Sequence, residues 1–406
     1  MTDNNENKVL NVPPLRFPEF TEEWKAEQLD NIATLSKGIG ISKEQLSEDG
    51  EPCILYGELY TKYKSEIIKQ VESKTDINGS KLKRSKANDV IIPCSGETAV
   101  DIATARCVPF DNILFGGDLN VISLHQYDGA FMSYQLNGKR KYDIARVAQG
   151  VSIVHLYGEH LKAIKTYNPT LPEQQKIAKL LSLLDDRIDT QNKIIEKLQS
   201  LIKGLNDNIH KGIKGETVCF SDLGEAYSGL SGKGGDDFGY GEPFITYMNV
   251  YQNTYISEKD YELVQIAPNE KQNSVQYGDA LFTLSSETPE EVGIGAVYLG
   301  NTQKLYLNSF CFGIHFYDER VLPQYLAHFI SSSSFRRAIY PLAQGSTRFN
   351  LQKNDFMKMK FLLPSLEKQG HIANTLDALH CRLANEKSLT EQYILLKKYL
   401  LSLMFI

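Results

Sequence analysis

Catalysis leaves a few residue types at fixed spacing, and this chain does not carry such a set. Methyl transfer to adenine needs a cofactor pocket and an Asn- or Asp-Pro-Pro-Tyr motif; neither motif occurs, and Asn168-Pro169-Thr170 only begins like one. Gly293-Ile294-Gly295 lacks the third glycine and the strand–helix setting of a dinucleotide loop. Metal-dependent strand cleavage needs carboxylates grouped with a lysine, and Glu72-Ser73-Lys74 has no upstream aspartate to complete it. The eight histidines form no HExxH or triad pattern, and the six cysteines form no CxxC pair. Ser95 with Glu97 and Ser285 with Glu287 read as turn chemistry after a strand, not as nucleophile and base. No catalytic residue, metal or cofactor is expected.

What remains is contact chemistry. Lys81, Lys83, Arg84 and Lys86 form the densest basic run and can meet phosphates, whose neutralisation supplies most sequence-independent affinity; a solvated surface loop accounts for them almost as well. Lys139-Arg140-Lys141 and Arg336-Arg337 lie in helical pattern and read better as surface. Ser36–Lys43 and Ser228–Lys233 are matched Gly/Ser/Lys loops. Their small residues permit close backbone approach, and Lys37, Lys43 and Lys233 can reach phosphates. Neither loop fits GxxxxGK[ST], so nucleotide binding is set aside, while an ordinary turn stays open. Between recurring tyrosines stand Glu58 and Lys62 in one place, Asn249 and Asn253 in the other. Asn can pair with adenine and Glu can accept from cytosine N4; simple exposure is the alternative. Gln149 and Ser152 match Gln344 and Thr347, followed by Arg348. That small polar loop suits a groove, or caps a helix through its Ser and Thr.

The elements that must position these groups are long helices and repeated mixed units. Ile177, Leu181, Leu184, Ile188, Gln191, Ile195, Leu198, Ile202, Leu205 and Ile209 step by four and three, an apolar seam broken once by glutamine that predicts one long coiled-coil helix after Pro172. The stretch returns at an offset of 195, which separates Pro169 from Pro364, with Glu386 at the polar break, after which the seam shifts register to Leu389, Tyr393, Leu396, Leu400 and Leu403. Strands are expected at 53–60, 89–95, 112–117 and 119–124, and helix at 129–147 weakened by Gly138. Residues 221–363 repeat this mixture: Glu51-Pro52 meets Glu242-Pro243, Tyr56 meets Tyr247, Gly38 meets Gly229, and Ala148-Gln149-Gly150 meets Ala343-Gln344-Gly345. The predicted order is a tail (1–24), a mixed unit (25–168), a central helix (169–210), a connector (211–220), a second mixed unit (221–363) and a C-terminal helix (364–406).

With 406 residues, 42% of them hydrophobic, the chain can bury two substantial cores. A net charge of −6 makes no whole-protein case for nucleic acid, so any such surface is a local patch. No run approaches a membrane span, residues 1–12 lack a signal-peptide core, and unpaired cysteines suit the cytoplasm.

On PTLPEQQKIAKLLSLLDDRID at the first long helix, RFPEF…W near the start, and the AQG segment before each helix, the sequence resembles the specificity subunits of type I restriction-modification systems. The resemblance covers almost the whole chain. It implies an α+β fold with an internal pseudo-two-fold repeat: two tandem target recognition domains, separated by two long helices packed as an antiparallel coiled coil. It further implies a non-catalytic subunit that reads one half of a bipartite double-stranded DNA target with each domain. The helices would set the spacing and dock two methylation subunits, with restriction/translocase subunits joining that core. It puts the Gly/Ser/Lys loops on the DNA side. A two-lobed adaptor that bridges protein partners without reading DNA is the rival.

Overall fold

The computed structural model describes residues 10–406; the first nine positions of the expected tail lie outside the described residues. Two compact units emerge, one made of residues up to Asn192 with Ser388–Ile406, the other of Lys193–Lys387. The central helix, Leu171–Lys211, and the C-terminal helix, Leu366–Leu403, each contribute to both.

The first unit is built on a four-stranded antiparallel sheet in the order Ala33–Lys37, Leu119–Leu124, Asp89–Pro93, Arg106–Val108. The second repeats it as Gly224–Ser228, Cys311–Phe316, Ala280–Thr283, Gly295–Val297. The buried central strands are Val/Ile/Leu/Phe-rich, as strands covered on both faces must be. A smaller sheet follows in each, with one parallel pairing at matched places: Ile54 opposite Phe115, and Ile245 opposite Leu307. Each unit is closed by a two-stranded ribbon of its entering and leaving segments, Lys25–Gln28 with Lys165–Asn168, and Glu216–Cys219 with Lys360–Leu363. The expected connector at 211–220 therefore contains a strand of the second unit.

The helix seam holds its expected register. All ten seam positions of the central helix are buried or half-buried, while Leu183 and Leu201 beside them are exposed. In the first unit the opening turns of this helix run antiparallel to the end of the C-terminal helix: Ile177, Ala178 and Leu181 share a core with Met404 and Phe405, and Arg187 reaches Tyr393. The C-terminal seam needs one correction. Leu396 is exposed and Lys397 points inward, because two buried carboxylates receive its ammonium, Glu66 at 2.5 Å and Asp185 at 2.6 Å.

Local corrections have similar causes. The strand expected over 53–60 spans only Glu51–Ile54, and the chain turns into a short helix, Glu58–Thr61. The Glu58 carboxylate accepts the Leu55 N–H at 2.9 Å and closes that turn. The helix expected over 129–147 divides at Gly138 into Gly129–Asn137 and Lys141–Val147.

Candidate nucleic-acid interface

Two matched hairpins carry the most distinctive exposed chemistry. In the first unit Gln149 and His155 exchange backbone bonds of 2.8 and 2.7 Å, and Val154–His155 pairs with Ser95–Gly96. In the second, Gln344 stands opposite Asn350, and Phe349–Leu351 pairs with Ser285–Ser286. The same glycine opens each tip in the left-handed region, Gly150 at φ 122° and Gly345 at φ 143°. A β-carbon there would fall 2.1 Å from the Ile153 carbonyl oxygen or 2.0 Å from that of Arg348, so the backbone path requires glycine. Around a matched hydroxyl residue, Ser152 or Thr347, the tips then differ: Val151-Ser152-Ile153 in one unit, Ser346-Thr347-Arg348 in the other.

Each hairpin borders a hollow within its own unit. The first, of roughly 730 Å³, is lined by Tyr56, Tyr60, Ser95, Glu97 and Asp101, with Ser152 and Ile153 from the tip. The second, of roughly 290 Å³, is lined by Tyr247, Tyr251, Ser285, Glu287 and Glu291, with Arg348. Apart from Ser152, the two sets are the same repeat positions. Their tyrosines are partly framework: Tyr60 donates to the Ser95 carbonyl at 3.1 Å, and Tyr247 to the Ser285 carbonyl at 2.9 Å. Tyr251 donates to Glu291 at 2.7 Å and, with Ser286, holds that carboxyl below the usual range. Arg348 is exposed, its guanidinium 6.0 Å from the centre of the Phe310 ring. The first hollow also has Arg106 in its lining, a buried arginine whose Nε donates to the Tyr63 carbonyl at 2.8 Å; burial lowers its pKa. Alanine, Ala296, stands at the matching position of the second unit.

Several polar residues singled out in the sequence are committed inside the fold. Glu58 is buried, accepting from Leu55, Ser73 and Lys62. Asn249 is buried, its amide fixed between the N–H and carbonyl of Ser257 at 3.0 and 2.8 Å. Asn253 spends its amide nitrogen on Asn249. These groups fasten the segment after the first strand of the smaller sheet. Lys62 lies 2.7 Å from Glu58 and donates to Ser73 at 2.6 Å. Arg84 forks onto Glu51 at 2.6 and 3.0 Å. Lys233 is almost covered and bonds Glu270 at 2.6 Å, holding that carboxyl down at about 2. Arg336 donates to the backbone carbonyls of Glu290, Val292 and Gly293.

Lys37, Lys43, Lys81, Lys86, Gln149, Ser152, Gln344 and Thr347 are exposed, and Lys83 is half-buried. Lys37 lies 5.7 Å over the Tyr157 ring, close in sequence to the first hairpin. The glycines of the two Gly/Ser/Lys loops serve close approach: a β-carbon on Gly38 would meet the Gly116 carbonyl oxygen at 1.9 Å, and on Gly229 that of Asn308 at 2.1 Å.

Residue types alone did not single out the paired glutamines at the helix starts. Gln174 donates to the Pro169 carbonyl at 2.8 Å and accepts the Asp128 N–H at 2.9 Å. Gln369 donates to the Pro364 and Arg320 carbonyls at 2.8 and 2.7 Å and accepts the Leu322 N–H at 2.8 Å. Both are fully buried. Asp128 and Leu322 cap the helices Gly129–Asn137 and Pro323–Ser331, so each glutamine ties a long helix to its unit's own helix. The signal was their identity at the repeat offset.

A family described as type I restriction modification DNA specificity domain matches this chain twice, over residues 21–200 and 215–392. The type I restriction enzyme MjaVIII specificity subunit of Methanocaldococcus jannaschii is 22% identical over 425 residues, covering 96% of this chain and 93% of that one. A type-I restriction-modification system S subunit from M. genitalium shares the fold with a TM-score of 0.59 at 15% identity, over 97% of this chain and 99% of that chain. A chain solved in work on complex assembly and conformational transition of the type I R-M system gives a TM-score of 0.58 at 14% identity, over 93% and 96%. With two matches that together span most of its length, the chain belongs to the type I restriction-modification DNA specificity family.

Proposed function

We propose that this chain is the non-catalytic specificity subunit of a type I restriction-modification complex and that each unit reads one half of a bipartite double-stranded DNA target. The observation that carries the reading is the duplicated hairpin and hollow. One backbone frame is kept twice while the side chains at its tip are exchanged, as expected of two readers with different half-sites. Phosphate contact falls to the exposed Lys37, Lys43, Lys81 and Lys86, with Lys83 beside them. Groove contact falls to Gln149, Ser152, Gln344, Thr347 and Arg348. Glu58, Lys62, Arg84, Lys233, Asn249 and Asn253 are assigned to holding the frame.

The recognition domains correspond to residues 25–168 and 221–363. The long helices at 169–210 and 364–406 set the spacing of the half-sites and dock two methylation subunits, to which restriction/translocase subunits add. Catalysis belongs to those partners, and the complex works in the cytoplasm. Among the described residues no helix is long and apolar enough to cross a membrane.

Sequencing the methylated bases of a host that carries the intact system tests this. A two-part adenine-methylated motif is expected. Replacing residues 221–363 with the corresponding segment of a relative should change one half and leave the other. Both halves changing together would defeat the two-reader reading, and no motif at all would favour the adaptor. Inserting seven residues after Ser200 and after Leu395 keeps the seam's period and should lengthen the unread spacer without altering either half.

A further inference from the structure

The two hairpin tips differ in a way that names what each touches. Val151 is 97% exposed and Ile153 60% exposed, two β-branched side chains alternating on one tight tip, the first almost without cover and the second beside the hollow. Solitary exposed apolar residues are common. These two are held by a backbone that the second unit reproduces, at the edge of a hollow that the second unit also reproduces, where the matching position carries Arg348. The shared frame places a functional group in the second unit, and β-branching keeps the first tip's methyl groups stiff at χ1. A two-stranded ribbon fits the major groove. There, an apolar side chain distinguishes a base by its C5-methyl group, and arginine distinguishes guanine through O6 and N7.

We propose that the hairpin tips are the specificity-determining elements of the two units: Val151 and Ile153 read the C5-methyl groups of thymine in one half-site, and Arg348 reads a guanine in the other. This rests on the two-reader reading above and assigns it a base chemistry. The Phe310 ring beneath Arg348 orients the guanidinium, so lysine at that position would not substitute, because it has no planar fork. Tyr60 and Tyr247 stand at different repeat positions but donate to the carbonyls of the matched Ser95 and Ser285, so this bond does not distinguish the two sites.

The test uses the full chain assembled with its methylation subunits, after the methylated motif has assigned the half-sites. Uracil in place of thymine removes only the methyl group. At a thymine under the tip, wild-type affinity should fall about fourfold, and the variant Val151→Ala/Ile153→Ala should bind the two DNAs equally. In the other half, 7-deazaguanine in place of guanine should weaken wild-type binding about tenfold, and Arg348→Ala should erase that difference. Grafting the second tip onto the first, as Val151→Ser/Ser152→Thr/Ile153→Arg, should replace thymine by guanine at one position of the methylated motif. A first half without thymine, or wild-type binding indifferent to every uracil substitution, overturns the assignment even if the variants fail to fold. A target with no second half overturns the two-reader reading and this assignment together.

Discussion

The two units keep the same sheet order and the same hairpin, yet they fasten their stretch of long helix by opposite electrostatic means. The first uses permanent charge. Lys397 from the C-terminal helix lies between Glu66 and Asp185, and Tyr134 donates to Asp185 at 2.6 Å, with all four groups largely out of water. Burial pushes the Asp185 carboxyl up while Lys397 pulls against it. The second unit uses neutral rings. Asp377 meets His328 at 2.8 Å and accepts from Tyr255 at 2.7 Å; His328 stacks on His380, and His210 lies against Tyr325 and Phe329. A duplicated fold thus holds its backbone path tightly and its fastenings loosely. Any pairing that satisfies a buried polar group will serve, so the partners drift while the glutamine clamps, which bond to backbone, stay.

The largest effect that separates the units is expected at Lys397. Lys397→Met removes the ammonium bonded to two buried carboxylates and leaves them only the more distant charge of Arg106, which costs about 3–5 kcal/mol. The comparable cut in the second unit, Asp377→Asn, keeps a hydrogen-bonding side chain at a half-exposed place and should cost about 1 kcal/mol. Urea unfolding of the full chain gives both numbers. Equal losses would mean that the ionic and the neutral fastening are not different in kind. Next in size, Gln174→Ala and Gln369→Ala each leave a buried backbone N–H and carbonyl groups unpaired, at about 1–3 kcal/mol. Here the units should agree. A large inequality between these two variants would show that only one clamp carries weight.

How much was legible follows from the reach of each interaction. The long helices and their seam were readable because helical period is local, and the duplication because identical residues recur at a fixed offset. Lys397 was not readable. Its inward position depends on carboxylates at 66 and 185, and a seam drawn by apolar type alone passes through Leu396 instead. Glu58 and Asn249 were misplaced for the same reason. A polar residue between tyrosines looks like a surface reader until the turn that it closes is seen. Of the candidate site, the Gln-Gly-x-Ser/Thr hairpins were legible as matched loops. The hollows beside them were not, since each gathers residues from segments far apart in sequence.

The smallest effect is the most diagnostic of chemistry. Burial lowers the pKa of His210, His328 and His380 from the usual imidazole value, against the opposing charge of Asp207 on the first and of Asp377 on the other two. A histidine kept neutral in the fold binds fewer protons than the same residue in the unfolded chain. The second unit's stability should therefore be fully present above the ordinary histidine value and should fall as pH drops from there toward the lowered folded values. The first unit's fastening contains no histidine, and its raised Asp185 carboxyl binds protons more readily in the folded state, so acidification should not loosen it by this route. Hydrogen exchange of the full chain, compared at pH 7.5 and pH 5.5 after correction for intrinsic rates, should show protection lost at Asn206–His210 and Tyr325–Phe329 and retained at Tyr134 and Asp185. His210→Phe preserves the ring packing and removes one of the three lowered histidines, so it should cut part of that loss while leaving protection at pH 7.5 unchanged. If both units loosen together on acidification, or if His210→Phe leaves the second unit as acid-sensitive as before, the contrast between a charged and a neutral fastening is wrong.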